Sequence, residues 1–191
     1  MYAKLNKCSF FQTKVHYLGH VVSKEGIVVD LEKIRAIMEW VAPKNVDKVR
    51  YFMGLVGYYR RFIRNFSQIG YPITSLQRKG KKFECIEECE ASFKQLKQLL
   101  THALVLQIVD SDKEFVVCTY SCKKGLGGVL MQDGQVVCYE SQKLNEHEQN
   151  YPTQYLELEA IIHALEMWRH YLLGRRFALM SDHIRRRYLF D

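Results

Sequence analysis

The dipeptide Asp133-Gly134 stands between two strand-like runs, residues 125–131 and 135–141, and constrains the fold more than any other feature of the chain. A two-residue type I′ hairpin turn requires positive φ at both central positions, which Asp-Gly accepts with little strain, so the flanking runs are expected to pair antiparallel. A further run, residues 115–119 (Phe-Val-Val-Cys-Thr), precedes them, and the three together predict a β-meander. Residues 177–180 read as a fourth strand, with Asp182 just past its end.

Helical patterns surround these strands. Pro152-Thr153 opens the longest, expected to run to residue 173, and residues 87–100 place Cys89, Phe93, Leu96 and Leu100 on one face. Upstream, Asp30 is a good N-cap for a helix carrying Ile34, Ile37, Met38 and Val41, which Ala42-Pro43 ends. Asn45 caps another, with Val49, Phe52, Met53 and Val56 inward, and a short helix is expected over 67–77. Residues 8–29 alternate like a β-hairpin: a Cys8-Ser-Phe-Phe run, a continuous run over 15–22, and a turn at Glu25-Gly26. A chain opening on such a hairpin leaves its edge unpaired, so a start within a larger fold is expected. The run 78–82, Arg-Lys-Gly-Lys-Lys, is the expected boundary between structural units. The fold class predicted is α+β: a small helical unit with an N-terminal β-hairpin, followed by a mixed sheet with packed helices.

A chain of 191 residues with 48% hydrophobic content can bury one substantial core or two modest ones. No run approaches the roughly 18 apolar residues of a membrane span. The N-terminal Met-Tyr-Ala-Lys-Leu-Asn-Lys lacks the apolar segment of a signal peptide, so a soluble, intracellular protein without a membrane partner is expected. The six cysteines fit that reading: Cys85/Cys89 and Cys118/Cys122 have a CxxxC spacing that zinc knuckles rarely use, and reduced, packed thiols are expected instead. The net charge of +7 is concentrated. Between Lys44 and Lys82 stand Lys44, Lys48, Arg50, Arg60, Arg61, Arg64, Arg78, Lys79, Lys81 and Lys82 against the single acid Asp47. Such a field attracts phosphate backbones through counterion release. Arg60, Arg61 and Arg64, interleaved with Tyr58, Tyr59 and Phe62, and the lysines Lys79, Lys81 and Lys82, are the candidate nucleic-acid contacts, with a solvated basic face as the alternative.

Two carboxylates stand out by position. Glu157 shares a helix face with Ile161, Ala164 and Trp168, the apolar stripe expected to pack on the sheet, whereas Glu159, His163, Glu166 and His170 form a polar line expected to face solvent. An acid on an apolar face is either an N-terminal helix residue favoured by the macrodipole, a side chain that snorkels to water, or a metal ligand. Asp182 after its strand is equally open between turn chemistry and ligation. Together with the end of the 115–119 strand, the two outline a carboxylate cluster of the kind that holds divalent metal over a scissile phosphate. The strand-end position is Tyr120.

The segments Leu18-Gly-His-Val-Val-Ser-Lys-Glu-Gly-Ile-Val-Val-Asp30, Phe52-Met-Gly-Leu-Val-Gly-Tyr-Tyr-Arg-Arg-Phe-Ile63, Gly125-Leu-Gly-Gly-Val-Leu-Met-Gln132, Tyr151-Pro-Thr153 and Ser181-Asp-His183 resemble the polyprotein of gypsy-type long-terminal-repeat retrotransposons, with a plant element as the expected source. The resemblance covers essentially the whole chain. It implies that residues 1–30 are the end of a reverse transcriptase palm, 31–82 thumb and connection helices, 83–111 a connecting helix and linker, and 112–191 a C-terminally truncated ribonuclease H-like domain. In that family the first strand usually ends Thr-Asp-Ala-Ser, where this chain reads Thr119-Tyr120-Ser121-Cys122, so Tyr120 occupies the first acidic position. Glu157 and Asp182 match the next two, which the resemblance makes the catalytic residues and the ligands of Mg²⁺ or Mn²⁺. Smaller departures are Leu104, where proline is usual, and the basic run Ile184-Arg-Arg-Arg187.

The resemblance implies metal-dependent cleavage of RNA in RNA–DNA hybrids, with a hybrid or other nucleic acid and the missing polyprotein segments as partners. In a two-metal scheme ions roughly 3.5–4 Å apart activate water and stabilise the leaving oxygen. A tyrosine, with a pKa of about 10, offers a bulky neutral phenol in place of a bridging carboxylate. Little or no hydrolysis is therefore expected. The chain also contains no Asp-Asp pair, the metal site of the family's polymerase, so DNA polymerisation by this chain alone is excluded. The alternatives are a non-catalytic nucleic-acid-binding module and a decayed pseudogene product.

Overall fold

Three short strands open the computed structural model, which describes residues 8, 10–78, 83, 87–103 and 105–181. Strands β1 (Lys14–Tyr17), β2 (His20–Ser23) and β3 (Gly26–Val29) form an antiparallel sheet in chain order. The expected hairpin thus has an additional turn, at Leu18-Gly19, where φ is +48° and +76°. Leucine rarely adopts a left-handed conformation, so the sequence 15–22 reads as one continuous strand. The turn is held from outside: Tyr58 Oη donates to the Leu18 carbonyl at 2.6 Å and Tyr59 Oη to that of Gly19 at 3.2 Å. Phe10 and Phe11, expected in the first arm, lie outside any strand and are exposed.

Helix α1 (Leu31–Met38) starts at Asp30, whose carboxylate accepts from the Glu32 amide at 2.9 Å, and α2 (Val46–Tyr58) starts at Asn45, whose side chain accepts from the Lys48 amide at 2.9 Å. Both caps follow the sequence reading. Helix α1 ends three residues earlier than the apolar pattern suggested, leaving Val41 outside it and exposed. A 3₁₀ turn (Arg60–Phe62) then leads into α3 (Phe66–Thr74), a second 3₁₀ turn (Ser75–Gln77) and α4 (Glu87–Thr101). Val49, Phe52, Val56, Tyr59, Phe62, Ile73, Cys89, Phe93, Leu96 and Leu100 are buried in one core with Met53 partly buried against it, so the inward faces read for α2 and α4 are the observed ones, whereas on α1 Ile37 is buried and Met38 is exposed.

The second sheet contains β4 (Phe115–Cys122), β5 (Gly125–Gln132), β6 (Gln135–Lys143) and β7 (Phe177–Ser181) in the order β6-β5-β4-β7. The first three are the predicted meander, with Asp133 and Gly134 both at positive φ, and β7 runs parallel to β4. Helix α5 (Thr153–Met167) packs on β4 and β5. The long helix expected here is interrupted at Trp168, whose φ of −101° and ψ of 12° end α5 before the short α6 (Arg169–Leu172). Phe115, Val117, Leu130, Ala164, Trp168 and Leu172 form the core between sheet and helix.

The linker joins the two sheets. Ile27 and Leu106 exchange backbone hydrogen bonds at 2.8 and 2.9 Å, and the Gln107 amide donates to the Val136 carbonyl at 2.8 Å. Gly26 permits this approach, since its φ is +135° and a Cβ there would stand 2.4 Å from the Leu106 oxygen. At the far end, fully buried Gln132 accepts from the Asp110 amide and donates to the carbonyls of Asp110 and Lys113, fixing the entry to β4. Among the described residues no helix is long and apolar enough to cross a membrane.

Candidate nucleic-acid interface and the Tyr120 position

Alternation along β4 decides where the candidate residues point. Phe115, Val117 and Thr119 are buried toward α5, and a Cβ on Gly128, the cross-strand partner of Thr119, would meet the Trp168 ring at 2.8 Å. Tyr120, one residue on, therefore faces the other side of the sheet. Its ring covers its cross-strand partner Gly127, where a Cβ would stand 2.2 Å from the phenol carbons. A glycine is required at 127 to admit the tyrosine.

The phenol is anchored to the segment between α2 and α3. Tyr120 Oη donates to Asn65 Oδ1 at 2.5 Å, and the Arg64 guanidinium stands over the ring at 5.2 Å from its centroid. Asn65 has φ of +59° and ψ of 28°, a left-handed conformation asparagine tolerates, and its side chain makes no cap to α3 because it is committed to Tyr120. Burial pushes the phenol above its ordinary value, and Arg64 pulls it only partly back, so the group is neutral and holds its proton on the bond to Asn65.

Further contacts join the same two units. The Ser67 amide donates to Ser141 Oγ at 2.9 Å, and Gln68 Nε2 to Cys122 Sγ at 3.5 Å. Arg60 lies 3.6 Å from Glu140, which in turn lies 3.9 Å from His163 Nε2. His163 thus departs from the solvent-facing line expected for it: its side chain is 19% exposed and turned to β6, while Glu159, Glu166 and His170 are exposed as expected. No sequence signal links residues 60, 140 and 163. Asn65 carried one, since an asparagine before a helix tolerates positive φ.

Glu157 is 5% exposed on the α5 stripe with Ile161, Ala164 and Trp168, as the helical spacing required. Asp182, Lys79, Lys81 and Lys82 lie outside the described residues. Of the candidate arginines, Arg61 and Arg64 are exposed and Arg60 is half-exposed, arranged around the 3₁₀ turn while Tyr59 and Phe62 serve the core. Among the described residues no group of three His, Cys, Asp or Glu side chains converges in a metal-holding arrangement. The strand contributes a phenol bonded to Asn65 on one face, and Glu157 belongs to the helix on the other. The described residues do not fit a two-ion carboxylate centre.

Residues 86–179 match the model of the RNase H-like domain found in reverse transcriptase, and nearly the whole chain is similar to retrotransposon Pol polyproteins. It is 41% identical over 182 residues to the retrovirus-related Pol polyprotein from transposon 297 of Drosophila melanogaster, covering 94% of this chain and 17% of that polyprotein. It is 37% identical over 190 residues to the polyprotein from transposon gypsy of the same species, covering 93% and 18%. The transposon Tf2-3 polyprotein of Schizosaccharomyces pombe is 32% identical over 184 residues, covering 93% and 14%. The chain spans less than a fifth of the length of these relatives. Its fold is shared with the foamy viral protease-reverse transcriptase in complex with an RNA/DNA hybrid, at a TM-score of 0.85 and 22% identity, covering 94% of this chain and 25% of that one. The same enzyme with dsDNA gives 0.82 at 22% identity, covering 91% and 37%.

Proposed function

We infer that this chain is the nucleic-acid-holding part of a retrotransposon reverse transcriptase, an RNase H-like module with thumb-like helices that binds an RNA–DNA hybrid and does not hydrolyse it. The observation that carries the reading is Tyr120. The family's first carboxylate position holds a neutral phenol directed to Asn65, on the face of the sheet away from α5 and Glu157. In this reading Glu157 and Asp182 are remnants of the Mg²⁺ or Mn²⁺ site, and the bridging ligand is gone. The solved foamy viral enzyme with an RNA/DNA hybrid supports the choice of nucleic acid. The domain limits 1–30, 31–82, 83–111 and 112–191 belong to the same proposal. The relatives reported above come from fly and fission yeast, and a plant source is not part of it.

Binding is assigned to Arg60, Arg61 and Arg64, with Lys79, Lys81 and Lys82 adjoining in sequence. Fluorescence anisotropy of a labelled RNA–DNA hybrid tests this across a salt series. Each phosphate contact contributes about 0.9 to the slope of log affinity against log salt, so Arg61→Ala should weaken binding and lower the slope by about one. Absence of binding by the unaltered protein, or a slope unmoved by Arg61→Ala, would overturn the assignment.

A further inference from the structure

A second basic feature lies at the opposite end of α3 from Arg64. The 3₁₀ turn after α3 and the end of β6 enclose an open cleft of about 800 Å³, with Tyr71 in its lining and Arg78, Lys143 and His147 around it. Both Lys143 and Arg78 are set against the Tyr71 ring, the guanidinium 5.9 Å from its centroid. Among the described residues the one acid in the lining, Glu146, is 92% exposed and stands 4.0 Å from the half-exposed Arg78. An exposed pair of that length stabilises by about 0–1 kcal/mol, so an incoming anion can displace it. Lys143 has no carboxylate partner among the described residues. The hydroxyls of Thr74 and Ser75 already donate to the carbonyls of Tyr71 and Pro72, and Lys143 and Arg78 are the permanently charged donors in the described lining.

We propose that this cleft binds phosphodiester backbone, with Lys143 and Arg78 each taking a phosphate and the Tyr71 ring holding the two cations in place. The inference rests on the nucleic-acid reading above and adds a contact site that none of the candidate arginines provides. The two basic groups bracket α3 and its 3₁₀ extension. Twelve residues at about 1.5 Å rise place them roughly 18 Å apart, about five nucleotide steps at 3.4 Å per strand. One strand can therefore engage Arg64 and the cleft together.

The test is anisotropy with a labelled single-stranded oligonucleotide and an RNA–DNA hybrid, using the full chain and the variants Lys143→Ala/Arg78→Ala, Lys143→Arg and Lys94→Ala. Lys94 is an exposed lysine on α4 that removes one charge elsewhere. Loss of both cleft contacts should lower the salt slope by about 1.4 on the single strand and about 1.8 on the hybrid, with affinity about tenfold weaker at 0.1 M salt. Lys143→Arg should retain most of the affinity, and Lys94→Ala should leave the slope unchanged. Circular dichroism of each variant confirms the fold. If the double variant loses no more than Lys94→Ala while Arg61→Ala still weakens binding, the cleft proposal fails and the nucleic-acid reading stands. If the unaltered chain binds neither probe, both fail.

Discussion

Replacing Tyr120 with phenylalanine removes one atom and isolates the contact on which the reading of this position depends. The phenol's bond to Asn65 is half-buried, so its loss should cost about 1 kcal/mol, while the ring stays over Gly127 and under Arg64. Asn65→Ala should cost a similar amount, and the double variant should show a coupling energy of about 1 kcal/mol, within the 0.5–3 kcal/mol seen for residues in direct contact. Tyr120→Asp goes further. It also removes the cation–π contact, about 0.5–1 kcal/mol, and the half-buried ring, about 1 kcal/mol. A surface ion pair with Arg64 returns less than about 1 kcal/mol, for a net loss of about 2 kcal/mol. Urea unfolding followed by circular dichroism measures the four variants beside the unaltered chain. Coupling below about 0.3 kcal/mol, or a Tyr120→Asp variant as stable as the unaltered chain, would refute the claim that this tyrosine ties the sheet to the α2–α3 segment.

Three other outcomes follow from the geometry. Gly128→Ala should destabilise by about 1–3 kcal/mol, because its Cβ would press into the buried Trp168 ring, and thermal unfolding would show this. Iodoacetamide at neutral pH should label the exposed Cys122 and spare Cys138, whose thiol burial pushes up to about 12, with peptide mass spectrometry reading both sites. The bond from His16 and the Glu32 amide hold the Asp30 carboxylate below its ordinary range. Its contribution to α1 is therefore complete above the unfolded value of about 3.9 and drains as pH falls through the lower folded value, an acid loss that Asp30→Asn, which keeps the cap, should flatten in a pH series of urea midpoints.

The legible parts of the fold were those in which one residue type answers one backbone demand. Asp133-Gly134 named a turn, Asp30 and Asn45 named helix starts, and the 157/161/164/168 stripe named the face that meets the sheet. Leu18 hid a turn because nothing local favours leucine at positive φ; two tyrosines forty residues away hold it there. The long helix is interrupted at Trp168, whose ring packs over Gly128, a tertiary contact that no local pattern announces. At the candidate site, a tyrosine at position 120, where the resemblance leads one to expect an acid, was visible in the sequence, but its contacts were not. Gly127, which makes room for the ring, is its cross-strand partner seven residues on, whereas the hydrogen bond that Asn65 accepts from the phenol joins segments more than fifty residues apart, which no spacing rule encodes.

The central claim is that the chain binds hybrid nucleic acid without cutting it, and the direct measurement is hybrid cleavage in Mg²⁺ or Mn²⁺ beside Tyr120→Asp and Glu157→Gln. With binding confirmed by anisotropy in the same samples, the account predicts bound, intact hybrid for the unaltered protein. Cleavage by the unaltered protein that Glu157→Gln abolishes would contradict it, since a working metal site would then exist with tyrosine at position 120.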